Sequence, residues 1–258
     1  MNLPLELRGL VRSLRRDPAF VAASVLTLGL GIGAGTAVFS LVKAVVLAPL
    51  PWHDPESLVL LWSRPPGASA LGFSATELSA LRQAKELEGV AAFVPGGANL
   101  VSEGRARQLW VTQVSPGAFE TLRVRPALGR DFRPEDHERA GSVILSHELW
   151  RDQFGSDPAV VGRRIRFDGA EQEVVGVLPS GVAMPTDYRW AGQTEIWSPM
   201  PRARWDDADP DARQLWAVAR LRAGATPESA GPALVAVHRR LQADTPAAYP
   251  GGAWGLEI

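Results

Sequence analysis

From Ala19 to Val42 the chain carries no charged side chain, in a run reading AFVAASVLTLGLGIGAGTAVFSLV, with Arg8, Arg12, Arg15 and Arg16 directly before it. As a helix this run covers roughly 36 Å, against a hydrocarbon core of about 30 Å. Residues 18–47 are therefore expected to form one transmembrane helix. Ahead of it, residues 3–16 repeat apolar positions at Leu3, Leu7, Leu10, Val11 and Leu14, with the arginines largely on the other side. That pattern predicts a short amphipathic helix lying at the membrane interface, its cationic face toward anionic headgroups.

Beyond residue 48 the pattern changes to short apolar runs of strand length, broken by turn residues. SLVLLW (57–62) and VAAFV (90–94) read as strands, and RARQLWVTQV (105–114) alternates well enough for a half-buried one. Between the first two, Ser74 and Glu77 have capping-box spacing and predict a helix running to about Leu87. Ser115-Pro116 opens a short helical turn. SVILS (142–146) is a strand followed by a helix over HELWRDQF. The clearest hairpin is RRIRFDGAEQEVVGVLP (163–179), with Asp168-Gly169 supplying its tight turn. LWAVARL (215–221) is a further strand, and Thr226-Pro227 begins a helix through about Ala243, interrupted or kinked early by Pro232. Residues 185–213, rich in Pro, Gly and charge, predict an exposed connection. The fold class is α+β: one N-terminal transmembrane helix, then a mixed extracytoplasmic region of two subdomains.

Other readings of the long apolar run fit less well. A cleavable signal peptide has an apolar region of about 7–15 residues ending at a small-residue site, whereas this one is longer and offers no clear A-x-A. Gly29, Gly31 and Ala34 match G-x-G-x-x-A, but no polar helix face follows and no βαβ context surrounds them. A spanning helix also accounts for the glycines. Gly29/Gly33 and Gly31/Gly35 form overlapping G-x-x-x-G pairs that let a second helix approach closely. Orientation follows from charge: four arginines precede the helix and only Lys43 lies near its far end, which places the N-terminus in the cytoplasm.

Charge and composition narrow the chemistry. Removing the five basic and two acidic residues before position 48 from totals of 27 and 28 leaves 22 basic and 26 acidic residues outside. A mildly acidic outer region gives no basis for nucleic-acid binding. The chain has no cysteine, so the outer region depends on its core without disulfides, and a thiol nucleophile is excluded. There is no G-x-x-x-x-G-K-[ST], no G-x-S-x-G and no H-E-x-x-H; His147-Glu148 lacks the second histidine. Asp131, Glu135, Asp136, His137 and Glu138 gather in one loop, but their spacing matches no calcium or zinc pattern and Arg130, Arg133 and Arg139 interleave them. No catalytic, cofactor-binding or metal residues are assigned. Of nine tryptophans, Trp52 follows the helix and is expected to anchor at the headgroup layer. Trp62, Trp110, Trp150, Trp197 and Trp216 fall in or beside predicted elements and read mainly as core.

The stretch LGLGIGAGTAVFSLVKAVVLAPLPWHDPESLVLLW resembles the first spanning helix and outward exit of MacB-type, FtsX-like ABC transporter permeases, above all the bacterial duplicated orphan permeases. The block VSPGAFETLRVRPALGRDFRPEDHERAGSVILSHELWRDQFGSDPAVVGRRIRFDGAEQEVVGVLP and the preceding W-V-T-Q-V strand are similar to the MacB-like periplasmic core domain. The likeness runs in order over roughly residues 1–245. Members of that family commonly have asparagine within the helix where Gly35 stands here, and often another where Lys43 stands.

The resemblance implies a domain plan: a cytoplasmic basic segment (1–17), a transmembrane helix (18–47), and a periplasmic core domain (48–258) incomplete at its C-terminus. It implies a protein of the cytoplasmic (inner) membrane, N-terminus inside, whose outer domain converts motion driven by a separate ATPase into export or lipoprotein handling. Membrane lipid, an ATPase subunit, partner permease helices and an extracytoplasmic protein or apolar substrate are the implied partners. Such a permease is not an enzyme and makes no covalent chemistry. The alternative is a single-span, membrane-tethered binding or scaffolding module without transport activity.

Overall fold

The computed structural model describes residues 18–45, 52–102, 105–139, 141–167, 169–184, 194–206, 209 and 211–258. The chain divides into two compact units, Met1–Leu50 and Pro51–Ile258. In the first, helix α1 spans Pro18–Val45 over 28 residues. Its Val25, Leu26, Leu28, Leu30 and Ile32 side chains are exposed. Among the described residues no helix is long and apolar enough to cross a membrane. Several side chains of α1, at 20, 37, 38 and 40–45, are outside that set. The interfacial helix expected over 3–16 lies outside it entirely.

The second unit is built on one sheet. Its strands are β1 (Leu58–Arg64), β2 (Leu87–Ser102), β3 (Arg105–Val114), β4 (Leu128–Gly129), β5 (Ser142–Leu145), β6 (Arg164–Phe167), β7 (Ala170–Val177), β8 (Ile196–Pro199), β9 (Trp216–Leu221) and β10 (Gly255–Glu257). They run in the order β10-β1-β9-β2-β3-β8-β5-β7-β4, with β6 set against β2 and β7. The β3–β8 and β5–β7 pairs are parallel. The helices are α2 (Ala75–Leu81), α3 (Ala118–Leu122), α4 (Pro134–Glu138), α5 (His147–Phe154), α6 (Arg202–Trp205) and α7 (Pro227–Asp244).

Alternate residues of the central strands bury opposite faces of the sheet. Val59, Leu61, Val90, Ala92, Ala217 and Ala219 enter one cluster with Leu78 and Leu81 of α2 and Leu234 of α7. Ala91, Phe93 and Val218 enter another with Phe119 and Leu122 of α3. Both faces are therefore apolar, which is why these strands read as continuous hydrophobic runs. The second cluster continues through Val114, Ile144, Val175 and Trp197 to the far end of the sheet. A third, containing Val143, Val174, Ile196 and Leu149, lies under α5.

That continuity corrects the expected pair of subdomains. β2 bonds β9 through residues 87–93 and β3 through 93–102, while β3 carries β8. One long hairpin thus joins both halves, and one apolar layer runs beneath them. Three further expectations change. The helix opened by Ser74 stops at Leu81, because Ala84 and Leu87 turn back into the same cluster through i→i−3 bonds. Pro232 does not interrupt α7; in the helix's second turn its ring removes only the bond to the Glu228 carbonyl. The region 185–213 is not simply an exposed connection. β8 lies inside it, between β3 and β5, with Trp197 fully buried.

Candidate coupling site

The second unit begins at the residues that follow α1 in sequence, and those residues are fastened to the sheet. Trp52 is 8% exposed, sits in the layer formed by Phe93, Phe119 and Met184, and donates from Nε1 to the Ala183 carbonyl at 3.0 Å. The expected anchoring of its indole at a headgroup layer is thereby corrected: ring and N–H are both satisfied inside the protein.

Arg220 completes the fastening. It stands in β9 on the otherwise apolar face shared by Trp216 and Val218, and it is fully buried. Nε donates to the Thr121 carbonyl at 2.6 Å, Nη1 to the Asp54 carbonyl at 3.1 Å and to Ser57 Oγ, and Nη2 to the His53 carbonyl at 3.2 Å. One rigid fork therefore collects α3 and the entry segment 53–57. Burial, then the like charge of Arg123, pull its pKa below the usual guanidinium value, against the raising effect of Asp54 and Glu88. Arg123 joins those carboxylates from outside, at 3.3 Å to Asp54 and 2.9 Å to Glu88. Asp54 and Arg123 both hold left-handed backbone angles, with φ of 55° and 54°. The approach of α3 needs Gly89, where a Cβ would stand 2.9 Å from Thr121 Oγ1.

A second buried polar centre lies on the opposite face. Glu77, 1% exposed, accepts from Ser74 N at 2.8 Å, completing the capping box, and from Tyr249 Oη at 2.8 Å. His238 Nε2 lies 3.3 Å from its Oε1, and Arg213 Nε 3.5 Å from Oε2. Gln242 Nε2 donates to His238 Nδ1 at 3.0 Å, which assigns the ring proton to Nε2. Burial alone would raise Glu77, but hydrogen bonds from His238, Ser74 and Tyr249 and the charge of Arg213 prevail and hold its pKa low.

The acidic loop 131–138 has a structural task. Asp136 receives Arg130 at 2.6 Å, Ser142 Oγ at 2.6 Å and the Arg133 amide at 2.7 Å. Burial opposes its charge, yet these donors bring its pKa down to about 2. His137 donates from Nδ1 to the Met200 carbonyl at 3.0 Å. Among the described residues no three His, Asp or Glu side chains are grouped to hold a metal ion. A groove of about 550 Å³ lies beside Asp54 and Ser57, bounded by Arg123, Arg222, Thr226 and Glu228.

Of the residues singled out by sequence, Gly29, Gly31, Gly33 and Gly35 lie on α1 with nothing within 4 Å of an added Cβ. Arg8, Arg12, Arg15 and Arg16 lie outside the described residues. Arg220 and the Glu77 partners were missed; an arginine inside the apolar strand WAVARL was the available signal. Trp62 and Trp216 meet edge to face with centroids 4.5 Å apart, while Trp110 stays 45% exposed.

Residues 21–237 match the family model of the MacB-like periplasmic core domain. The chain belongs to that family. This MacB-like chain shares its fold with the extracellular domain of the noncanonic ABC-type transporter YknZ from Gram-positive bacteria (15% identity, TM-score 0.56, covering 78% of this chain and 100% of that one). It is similar also to a domain of a putative permease from Porphyromonas gingivalis (17%, 0.55, 80% and 89%). A third likeness is to the periplasmic region of MacB from Actinobacillus actinomycetemcomitans (10%, 0.56, 78% and 88%). No curated protein matches the chain.

Proposed function

We propose that the chain is the leading, membrane-anchored part of an ABC-type permease, and that the Arg220 clamp couples its outer unit to a membrane helix driven by a separate ATPase. In this reading residues 18–47 span the inner membrane with the N-terminus in the cytoplasm, and residues 48–258 stand outside. The exposed Val25, Leu26, Leu28, Leu30 and Ile32 of α1 support a lipid-facing surface. Gly29, Gly31, Gly33 and Gly35 supply a face for a partner permease helix. Export and lipoprotein handling are the roles that fit; the substrate is an extracytoplasmic protein or an apolar molecule.

The observation that supports this reading is the attachment of Trp52, His53, Asp54 and Ser57, the first of which stands seven positions after the end of α1, to the interior of the sheet. An anchor meant only to tether would need no such fixture, since a flexible linker suffices. A displacement of the entry segment instead reaches β9 and α3 through one guanidinium. β10 runs antiparallel to β1, so its direction is back toward the same end of the sheet.

Hydrogen exchange in native membrane vesicles, with and without ATP and vanadate, tests the proposal. Coupling predicts nucleotide-dependent exchange in peptides covering 53–60 and 117–123, lost in Arg220→Met. Exchange indifferent to nucleotide in every peptide of the outer unit would overturn coupling and leave a tethered module. Topology is checked separately, because the chain is free of cysteine. An impermeant maleimide should label Ala68→Cys in spheroplasts and Ser13→Cys only after lysis; the reverse would overturn the orientation.

A further inference from the structure

Residues 245–257 lie across α2 and α7 as a strap whose fastenings differ from those of the sheet. Its buried apolar residues, Ala248, Tyr249 and Trp254, form a small cluster apart from the three that hold the unit together, and only the partly buried Leu256 packs against the first of those. Only three of its residues, Gly255 to Glu257, are paired to β1, and that pairing is at the edge of the sheet. Besides the Leu256 contact and the edge-to-face meeting of Tyr249 with His238, the attachment is made by polar groups. Gln242 brackets the Trp254 backbone, accepting its N–H at 2.9 Å and donating to its carbonyl at 2.9 Å. Arg213 donates to the Ala248 carbonyl at 2.7 Å and lies 4.8 Å from the Tyr249 ring centre and 4.4 Å from that of Trp254. Tyr249 reaches Glu77, and Glu257 pairs with Arg64.

We propose that this strap is a separately opening element, locked by the Gln242–Arg213–Glu77 network and able to leave β1 and α7 while the rest of the sheet stays folded. Two physical reasons support it. Opening exposes the small strap cluster, the edge of β1 and the rim of the first cluster that the partly buried Leu256 covers, while the fully buried members of the clusters shared by β2, β3 and β9 all lie outside the strap. A chain entering at β1 and running back along β10 is also loaded from one end of the pair, so three ladder residues would separate one after another unless a side-chain network held them. Under the permease reading, opening is the motion that lets the entry to β1 and the exit from β10 move apart; the inference rests on that reading for its meaning, though not for its test.

The test is hydrogen exchange by mass spectrometry on the purified full chain in detergent, without nucleotide, comparing a peptide covering 255–258 with one covering 216–221. The strap peptide should exchange at least a hundredfold faster than the β9 peptide. Gln242→Leu should speed it a further tenfold or more while β9 is unmoved, and Tyr249→Phe should do the same more weakly if the first variant folds poorly. Equal rates for the two peptides, or variants that accelerate both together, would overturn the proposal and make the strap part of the cooperative core. Because no nucleotide is present, failure here leaves the coupling experiment untouched, and the reverse holds.

Discussion

Arg220 donates to the carbonyl oxygen of Asp54 at 3.1 Å, across 166 positions of the chain. Its other bonds go to Thr121, Ser57 and His53, and among the described residues no carboxylate takes a direct bond from this buried cation. A guanidinium bound by carbonyls works as a fastener with fixed angles, and a point charge would not substitute for it.

Arg220→Met should therefore orphan several buried acceptors and lower the stability of the outer unit by about 3 kcal/mol. Arg220→Lys should recover less than half of that loss, since one ammonium cannot serve carbonyls on both sides. Denaturant midpoints of the purified chain measure both. A lysine variant as stable as wild type would mean that charge, not geometry, holds the entry segment.

Trp52 offers a graded version of the same question. Trp52→Phe removes the bond to Ala183 and should cost about 1 kcal/mol. Trp52→Ala also empties part of the layer around Phe93 and Phe119, and should cost about 3–5 kcal/mol. If lipid rather than protein surrounded this indole, both variants would unfold at the wild-type midpoint.

Asp136 gives a pH signature. Its pKa falls from an ordinary 3.8 to about 2 in the folded state, so its contribution is complete above 3.8 and is lost as pH falls toward 2. Asp136→Asn should cost about 2 kcal/mol at pH 7, and the gap to wild type should close as pH falls to about 2 and below. Thermal unfolding of both proteins against pH reads this directly; a constant gap would assign the loss to packing.

Glu77 acts with the same sign. Its depressed carboxylate contributes stability above the ordinary 4.5 that disappears as pH falls through the folded value. Glu77→Gln should be less stable than wild type at pH 7 and show a flatter decline in unfolding temperature through the acid range. Parallel curves for the two proteins would contradict an ionised Glu77 among His238, Tyr249 and Arg213.

For α1, replacing Gly29, Gly31, Gly33 and Gly35 with leucine should spare membrane insertion and weaken association with a partner helix. Crosslinking from a single introduced cysteine at position 28 or 32 measures it. Undiminished crosslinks in the leucine variant would reduce the glycines to filler.

Local pattern carried much of the fold. The helix over His147–Phe154 and the hairpin around Gly169 stand where their caps and turn residues put them, because the deciding contacts are neighbours in sequence. β8 was hidden, being four residues long and ending at Pro199, and it owes its burial to strands far away in the chain. The site was less legible for the same reason. Ser74 and Glu77 announced a capping box, but the other side of that carboxylate belongs to His238 and Tyr249, 161 and 172 positions later. Trp52 misled because a tryptophan after an apolar helix suits a membrane surface and a protein interior equally well.

The position of β9 has a consequence for how the unit is made. β9 lies between β1 and β2 in the sheet, yet Leu58 of β1 meets its partner Arg220 only 162 residues later. At about 5–20 residues per second, synthesis leaves β1 without this neighbour for roughly 8–30 s, and the outer edge of β2 for somewhat less. During that interval two strands apolar on both faces wait as open edges, the arrangement most prone to pairing with other chains. Chains interrupted before Trp216 never receive the strand that closes the gap, so quality-control proteases should remove them while tolerating losses near the C-terminal edge.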